Sequence, residues 1–269
     1  MRTMNDSVVH FQHLEELARQ KSWIHSLHPL TKLWVTLTIL VTATSFARDA
    51  ISSLLPLLLY PVLVFTLADI PARLILKRLL LVEPLIIGIG LLNPVLDRQV
   101  SLIGTLAISH GWLTLASIIL KSSLTILAAL LLVATTDLSQ LAGALRLMRI
   151  PRLMVTLLIL IYRYLSVLAG EAARTLRAYA LRAPGHPGVR IAAWGSLAGM
   201  LLLRSFDRAE RLYQAMQLRG FSGDFPLGAA GRLSWKDAAW LAGWLGLCLL
   251  ARSTDLPAAL GNLITGVLS

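Results

Sequence analysis

Residues 151–183 read PRLMVTLLILIYRYLSVLAGEAARTLRAYALRA, and residues 188–220 read GVRIAAWGSLAGMLLLRSFDRAERLYQAMQLRG. Each stretch begins with an apolar run, continues with a run rich in arginine, and ends in Leu-Arg followed by a small residue. No proline lies inside the first stretch, and its single glycine, Gly170, is a modest penalty. We therefore predict an unbroken helix from Pro151 to Ala183, about 50 Å long. A second long helix, from Gly188 to Phe221, repeats the layout.

The composition around these helices is that of a membrane protein. Hydrophobic residues make up 56% of the chain, charged residues only 14%, and the mean hydropathy is +0.71. Soluble domains carry about 25% charged residues. We predict an all-α polytopic membrane protein in contact with the lipid bilayer. The net charge of +11 fits basic residues held on the cytoplasmic side better than binding to nucleic acid, which we do not expect.

Apolar runs divide the chain into a membrane domain and a cytoplasmic domain. The predicted spans are Leu30–Ala47, Ile51–Leu67, Leu79–Leu96, Trp112–Thr136 and Trp235–Ala251. The predicted domains are an N-terminal cytoplasmic segment (1–29), a four-span membrane domain (30–136), cytoplasmic coupling helices (137–234), and a last span with a C-terminal tail (235–269). The N-terminal segment lacks the hydrophobic region of a signal peptide. We expect a multi-pass protein of the bacterial or archaeal cytoplasmic membrane with its N-terminus in the cytoplasm.

The charge of the segment between the fourth and last spans argues for its cytoplasmic placement. From Asp137 to Lys236 there are fourteen Lys or Arg against five Asp or Glu, and positive charge accumulates in the cytoplasm. A short helix from Asp137 to Arg149 precedes the two long ones. The apolar run Leu153–Gly170 is long enough to cross a membrane, but Arg163 at its centre makes insertion costly by about 2.5 to 3.5 kcal/mol. We expect the long helices to lie beneath the membrane domain.

The two Leu-Arg ends are the candidate docking sites. Leu181, Arg182 and Ala183 form the first tip, and Leu218, Arg219 and Gly220 form the second. Gly220 fits the position just beyond a helix C-terminus. An arginine on a rigid helix end presents a fork of donors, which suits a carboxylate on another subunit.

Polar residues between the tips are candidates for packing the long helices together. Asp207 and Arg211 are four residues apart, which predicts an ion pair within the second helix. Tyr162, Arg163 and Glu171 are candidates for fixing the place where the two helices cross.

Other sites are less well supported by the sequence. Glu83 lies in an apolar run, but its closeness to Lys77 and Arg78 favours the membrane interface. Lys121 is expected to reach the outer interface, and residues 100–110 form an apolar piece that is either re-entrant or interfacial. An intramembrane enzyme using Glu83, Lys121 or His110 is the remote alternative. We predict no catalytic residue and no metal site, because the histidines lack a ligand spacing and Cys248 is alone.

Several motifs together resemble one known family. They are His28-Pro29-Leu30-Thr31-Lys32, Asn93-Pro94, residues 145–153 (LRLMRIPRL), Tyr162-Arg163-Tyr164, Glu171, Arg208-Ala209-Glu210-Arg211 and Leu218-Arg219-Gly220. This order is similar to that of the transmembrane T component of energy-coupling factor (ECF) transporters, and within it to the cobalt-type CbiQ proteins. The resemblance covers the chain from about residue 27 to 244.

The resemblance implies a non-catalytic subunit of an ABC-type importer. In such a complex two ATPase subunits bind ATP, and a separate CbiM-like membrane subunit captures the substrate, so no cofactor is expected in this chain. Family coupling helices end in Ala-Arg-Gly-like motifs that dock on the ATPases. Arg219-Gly220 matches this motif with Leu218 in place of Ala, whereas Leu181-Arg182-Ala183 lacks the glycine. The implied function is cobalt uptake that feeds cobalamin synthesis, with nickel or a vitamin as the alternative cargo.

Overall fold

The structure, a computed structural model, describes residues 22–47, 51–96, 100–103, 106–182, 189–223 and 233–253. The chain divides into two compact units. The described part of the first unit ends at residue 137 and resumes after residue 230, and the second unit lies between residues 138 and 230.

Helices dominate the described residues. In chain order they are α1 (Pro29–Ser45), α2 (Ile51–Leu54), α3 (Leu59–Ala68), α4 (Ala72–Gly90), α5 (Leu92–Leu96), α6 (His110–Thr135), α7 (Leu138–Leu147), α8 (Arg152–Arg182), α9 (Ile191–Leu218) and α10 (Trp235–Ser253). A 3₁₀ turn, Leu55–Leu58, joins α2 to α3. Strands β1 (Val100–Ile103) and β2 (Leu106–Ser109) pair antiparallel with Val100 opposite Ser109.

Three of these elements differ from the predicted spans. The second predicted span is interrupted by the 3₁₀ turn that contains Pro56, because proline removes a backbone donor. The third predicted span begins at Ala72 rather than at Leu79, since Pro71 lies at the N-cap and Lys77 and Arg78 already lie within the first two turns of the helix. Residues 100–103 and 106–109 form the two paired strands, so these residues are not helical.

Two helices in the described part of the chain are long and apolar enough to cross a membrane, namely Gly111–Thr135 and Arg152–Arg182. This criterion concerns length and composition only. A core helix of a soluble protein also meets this criterion, but such a helix is mostly buried. In these two helices only 28% and 11% of the apolar segment is buried within the described residues. The described part of the chain therefore leaves most of their apolar surface uncovered. The total of five spans stays a prediction.

The N-terminus of α1 is held by buried polar groups from two other helices. Asp237 in the first turn of α10 accepts the backbone N–H of His28 (2.7 Å) and that of Ser234 (2.8 Å). Lys32 Nζ donates to the carbonyl oxygen of Thr135 at the end of α6 (2.9 Å). Asp237 and Lys32 are both buried, so each charge depends on these partners inside the protein.

The other end of α1 is held by two cations. Lys121 Nζ of α6 donates to the carbonyl oxygens of Phe46 (2.8 Å) and Ala47 (2.9 Å), just past the last turn. Arg252 at the end of α10 donates to the carbonyl oxygen of Ser45 (3.1 Å), and its guanidinium lies 5.6 Å from the centre of the Phe46 ring. Carbonyls at a helix C-terminus have no partner within the helix and attract positive charge.

These contacts set the directions of the three helices. The start of α1 meets the end of α6 and the start of α10, and the end of α1 meets the end of α10. α10 therefore runs parallel to α1, and α6 runs antiparallel to both. These are the relative directions that a first, a fourth and a fifth span would have.

The Asp237 contacts predict a measurable loss of stability in Asp237→Asn. The amide loses the negative charge and one acceptor, which weakens the hold on two backbone N–H groups and leaves Lys32 without a nearby counter-charge. We expect the free energy of unfolding to fall by about 1 to 3 kcal/mol. Thermal unfolding in detergent, followed by tryptophan fluorescence, measures it. Asp207→Asn, at an exposed position of α9, is the matched control; equal losses in both variants would contradict the assignment.

Candidate functional site

The second unit is centred on one carboxylate between two arginines. Glu171 Oε2 of α8 accepts a hydrogen bond from Arg208 Nη2 of α9 at 2.9 Å, and Oε1 lies 3.5 Å from Arg204 Nη1. Glu171 is buried, with 8% of its surface exposed. Arg204 and Arg208 are one helical turn apart and therefore share a face of α9. We call these three residues the crossing clamp.

The crossing clamp lies where both helices change character. α8 is mostly apolar from Leu153 to Gly170, where Arg163 is the one charged residue, and its charged part begins with Glu171. α9 has no charged residue from Ile191 to Leu203, and its charged part begins with Arg204. Each helix thus has an apolar arm and a charged arm that meet at the clamp. A buried carboxylate is costly unless it is paired, so the clamp favours one crossing point.

The two helices run in opposite directions. Thr156 Oγ1, near the start of α8, lies 3.5 Å from the carbonyl oxygen of Gly223, which follows the end of α9. Because the middles of the helices already meet at Glu171, this second contact places the end of α9 beside the start of α8. The tips at Arg182 and Arg219 consequently lie at opposite ends of the pair.

The tip of α9 has a well-defined stop. Gly220 adopts φ +77°, in the left-handed region that favours glycine. Its N–H donates to the carbonyl of Gln217 (2.9 Å), and the N–H of Phe221 donates to that of Met216 (3.0 Å). These two bonds form a Schellman motif, so the prediction that Gly220 ends the helix is confirmed. Leu218 is 91% exposed, and Arg219 is exposed beside it.

The tip of α8 is exposed in the same way. Leu181 is 84% exposed, and Arg182, the last residue of the helix, is exposed as well. Ala183 lies outside the described residues. The structure therefore presents an exposed leucine and an exposed arginine side by side at the end of each long helix.

Not every predicted packing residue takes part in the clamp. Arg163 is exposed on the apolar arm and Tyr162 is 37% exposed, whereas Glu171 lies at the crossing. Asp207 and Arg211 do not form the predicted ion pair among the described residues. Their spacing permits a contact, but both are exposed, where an ion pair gains little against solvent.

Sequence reasoning missed Arg204 and Arg208 as partners of Glu171. A usable indication was present, because they are the first two same-face charges after the apolar arm of α9 and mirror the position of Glu171 on α8. In the membrane unit, Glu83 Oε1 accepts from Ser123 Oγ of α6 (2.8 Å), so this carboxylate reaches α6 rather than only the interface. Among the residues that the structure describes, no three His, Cys, Asp or Glu side chains are grouped for a metal ion.

Comparison with known proteins places this arrangement in a family. A family model described as CbiQ, cobalt transport protein, matches residues 20–227, which is more than half of the chain and includes the crossing clamp and both tips. The chain belongs to the CbiQ family. Members of this family are transport components, and the resemblance inferred from the motifs is confirmed.

Two curated relatives of this chain are named for different metals, nickel and cobalt. It is 35% identical over 121 residues to the nickel permease LarQ of Lactiplantibacillus plantarum, a match that covers 44% of this chain and 43% of that protein. It is 32% identical over 115 residues to the putative fused cobalt transport protein CbiMQ of Methanocorpusculum labreanum, covering 41% of this chain and 19% of that protein. The chain therefore spans less than half the length of either relative.

The geometry of the crossing clamp predicts unequal contributions from its two arginines. In a double-mutant cycle of Glu171→Gln and Arg208→Gln, we expect a coupling energy of about 1 kcal/mol, because this bond is short and partly shielded from solvent. The matched cycle with Arg204→Gln should give only about 0.3 kcal/mol, since its distance is 3.5 Å and half of the side chain is exposed. Unfolding in denaturing detergent measures both energies. Larger coupling to Arg204 would contradict the assignment.

Proposed function

We propose that this chain is the transmembrane coupling subunit of an ECF-type ABC importer. It transmits the motion of two ATP-hydrolysing subunits to a separate membrane subunit that captures the substrate. The observation that carries the proposal is the pair of long helices, which cross at the buried Glu171 and end in exposed Leu-Arg tips. This arrangement is a lever with its pivot at the clamp and one contact at each end.

The spacing of the tips suits two separate docking partners. Arg182 lies eleven residues beyond Glu171 on α8, and Arg219 lies eleven residues beyond Arg208 on α9. Each of these lengths is about 16 Å, and they point in opposite directions, so the two arginines are roughly 30 Å apart. One protein groove does not easily hold both arginines, whereas two ATPase subunits side by side each take one. When the ATPase subunits bind ATP and move, they then displace the two helix tips relative to each other.

The chemistry of each tip suits docking on a carboxylate inside an apolar groove. The exposed leucine supplies apolar surface, and the neighbouring guanidinium donates paired hydrogen bonds to a carboxylate. Helix ends stopped by a defined turn lose little conformational freedom on binding. The second tip has such a turn at Gly220, so we propose that it is the stronger of the two contacts.

The apolar arms suit contact with the membrane and with the substrate-capturing subunit. No residue of α9 is buried in the described structure, and side chains such as Ile191 and Leu203 are 91% and 68% exposed. Gly195 and Gly199 are four residues apart, and a Cβ built on either one has no atom of this chain within 4 Å. Small residues at this spacing allow close packing of another membrane helix. The fused CbiMQ relative supports a CbiM-like subunit as the partner.

Membership of the family also suggests a cargo and a cellular location, which we state as proposals. We propose cobalt as the first cargo and nickel as the second, because the two relatives are named for these metals; a vitamin is the third. The chain itself binds neither ATP nor a cofactor in this scheme, and ATP belongs to the partner subunits. The long helices lie on the cytoplasmic side of the cytoplasmic membrane, with the N-terminus also inside.

An intramembrane enzyme is less well supported. Lys121 is engaged by two backbone carbonyls at the end of α1, and Glu83 accepts a hydrogen bond from Ser123. These contacts account for both side chains as groups that join helices. Turnover of a substrate by the purified chain alone would favour the enzyme instead.

Charge reversal at the tips tests the docking. Arg219→Glu should reduce co-purification with the ATPase subunits more than tenfold, because it places two carboxylates against each other in a desolvated contact. Arg182→Glu should reduce it less, and the double variant should abolish it. Arg177→Glu is the matched control, since Arg177 is exposed on α8 but does not lie at the tip. Normal assembly and transport by the double variant would end the docking proposal.

Metal uptake tests the cargo. Cells that express the complete transporter with this chain should accumulate radiolabelled cobalt in preference to nickel, and the Arg182→Glu, Arg219→Glu double variant should not. Preference for nickel would assign the chain to the nickel branch of the family. Uptake of neither metal by an assembled complex would favour a vitamin as the cargo.

A further inference from the structure

Helix α8 is buried at only two places along its length. Val155 and Thr156 are each 3% exposed near its start, and Glu171 is buried at the crossing clamp. No other residue of α8 is buried in the described structure. Burial confined to so few positions marks the places where other parts of the chain cover the helix. The clamp accounts for Glu171, so the burial of Val155 and Thr156 needs a separate explanation. We call these two residues the seat.

Two segments of the second unit approach the seat. Helix α7 packs against α8. The other segment follows the tip of α9, where the carbonyl oxygen of Gly223 lies 3.5 Å from Thr156 Oγ1. This distance is at the long limit for a hydrogen bond, so the contact is modest in strength. It nevertheless defines where the chain beyond the second tip meets α8.

The chain beyond the tip of α9 is turned by two glycines. Gly220 and Gly223 adopt φ +77° and +89°, both in the left-handed region that favours glycine. Between them, the N–H of Phe221 donates to the carbonyl of Met216 (3.0 Å). This backbone course brings Gly223 to the seat only four residues after Arg219. The position of Arg219 is therefore linked to the start of α8 by a short, turned segment.

The two charged arms differ in how they are held. The charged arm of α9 is held near its start, by the pair of Arg208 with Glu171, and just beyond its end, by the contact of Gly223 with Thr156. The charged arm of α8 has no buried residue from the one after Glu171 to Arg182. A helix end with few buried contacts opens more readily than one held on both sides.

We propose that Thr156 is a positioning residue for Arg219. The seat receives the segment 221–223 and thereby fixes the direction in which the second tip is presented. This inference rests on the proposed docking of Arg219 on an ATPase subunit. When the ATPase subunits move, the second tip then moves together with the start of α8, whereas the first tip bends about the clamp.

Hydrogen exchange of the purified full chain in detergent tests the seat without any partner. Thr156→Val keeps the shape of the side chain and removes its donor, so the amides of residues 216–221 should exchange about threefold faster. Thr156→Ser retains the hydroxyl and should restore the slower exchange. Thr175→Val is the matched control, because the Thr175 hydroxyl bonds within α8 to the carbonyl of Glu171 (2.9 Å). It should leave residues 216–221 unchanged.

Two results of the exchange experiment would overturn the seat. One is an unchanged rate at residues 216–221 in Thr156→Val. The other is an equal acceleration at those residues in Thr175→Val, which would indicate a general loosening of α8 rather than a contact at its start.

Affinity for purified ATPase subunits tests the positioning role. Thr156→Val should weaken binding of the full chain about threefold, and Thr156→Ser should restore it. Combined with Arg219→Glu, Thr156→Val should cause no further loss, whereas combined with Arg182→Glu the threefold loss should remain, because only the second tip depends on the seat.

The outcomes separate the seat from the docking. A further loss in the Arg219→Glu background, or no loss in the Arg182→Glu background, would overturn the positioning role of Thr156. A chain that shows the exchange effect but binds no ATPase subunit would retain the seat and overturn the docking proposal together with the positioning role.

Discussion

The carboxylate of Glu171 between Arg204 and Arg208 is the interaction on which the second unit depends. Taking a carboxylate out of water is costly, and the cost is offset here by two guanidinium groups from one face of α9. Sliding either helix by one turn would separate these groups. The clamp consequently selects one crossing point for two helices that otherwise make few contacts. The positions of both tips and both apolar arms follow from that point.

The first unit uses the same physical principle at the ends of α1. A helix terminus carries unpaired backbone groups, and these are paired with charged side chains from α6 and α10 rather than with water. Asp237 accepts a hydrogen bond from a backbone N–H at the start of α1, while Lys121 and Arg252 donate hydrogen bonds to the carbonyl oxygens at its end. In an apolar environment such contacts are costly to lose. They join helices that lie far apart in the sequence into one bundle.

Arginine therefore has several distinct roles in this chain, and the count of arginines alone does not reveal them. Arg208 pairs with a buried carboxylate, Arg252 caps a helix, and Arg219 ends a helix next to Gly220 with its side chain exposed. The arginines of the first two kinds hold helices together, whereas an arginine exposed at a helix tip can contact the ATPase subunits that we propose as partners.

The sequence by itself determined the helical class, the family and the long helices α8 and α9, because hydrophobic runs and glycine or proline stops act on neighbouring residues. Gly220 was predictable for that reason. The tertiary structure alone decided that Glu171 pairs with residues 33 and 37 positions away, and that Asp237 binds His28 across 209 positions. It also decided where α4 begins. Local sequence patterns specify which residues form a helix. Pairing between groups that are distant in the sequence depends on how the helices pack, and that packing is determined by burial and charge in the folded chain.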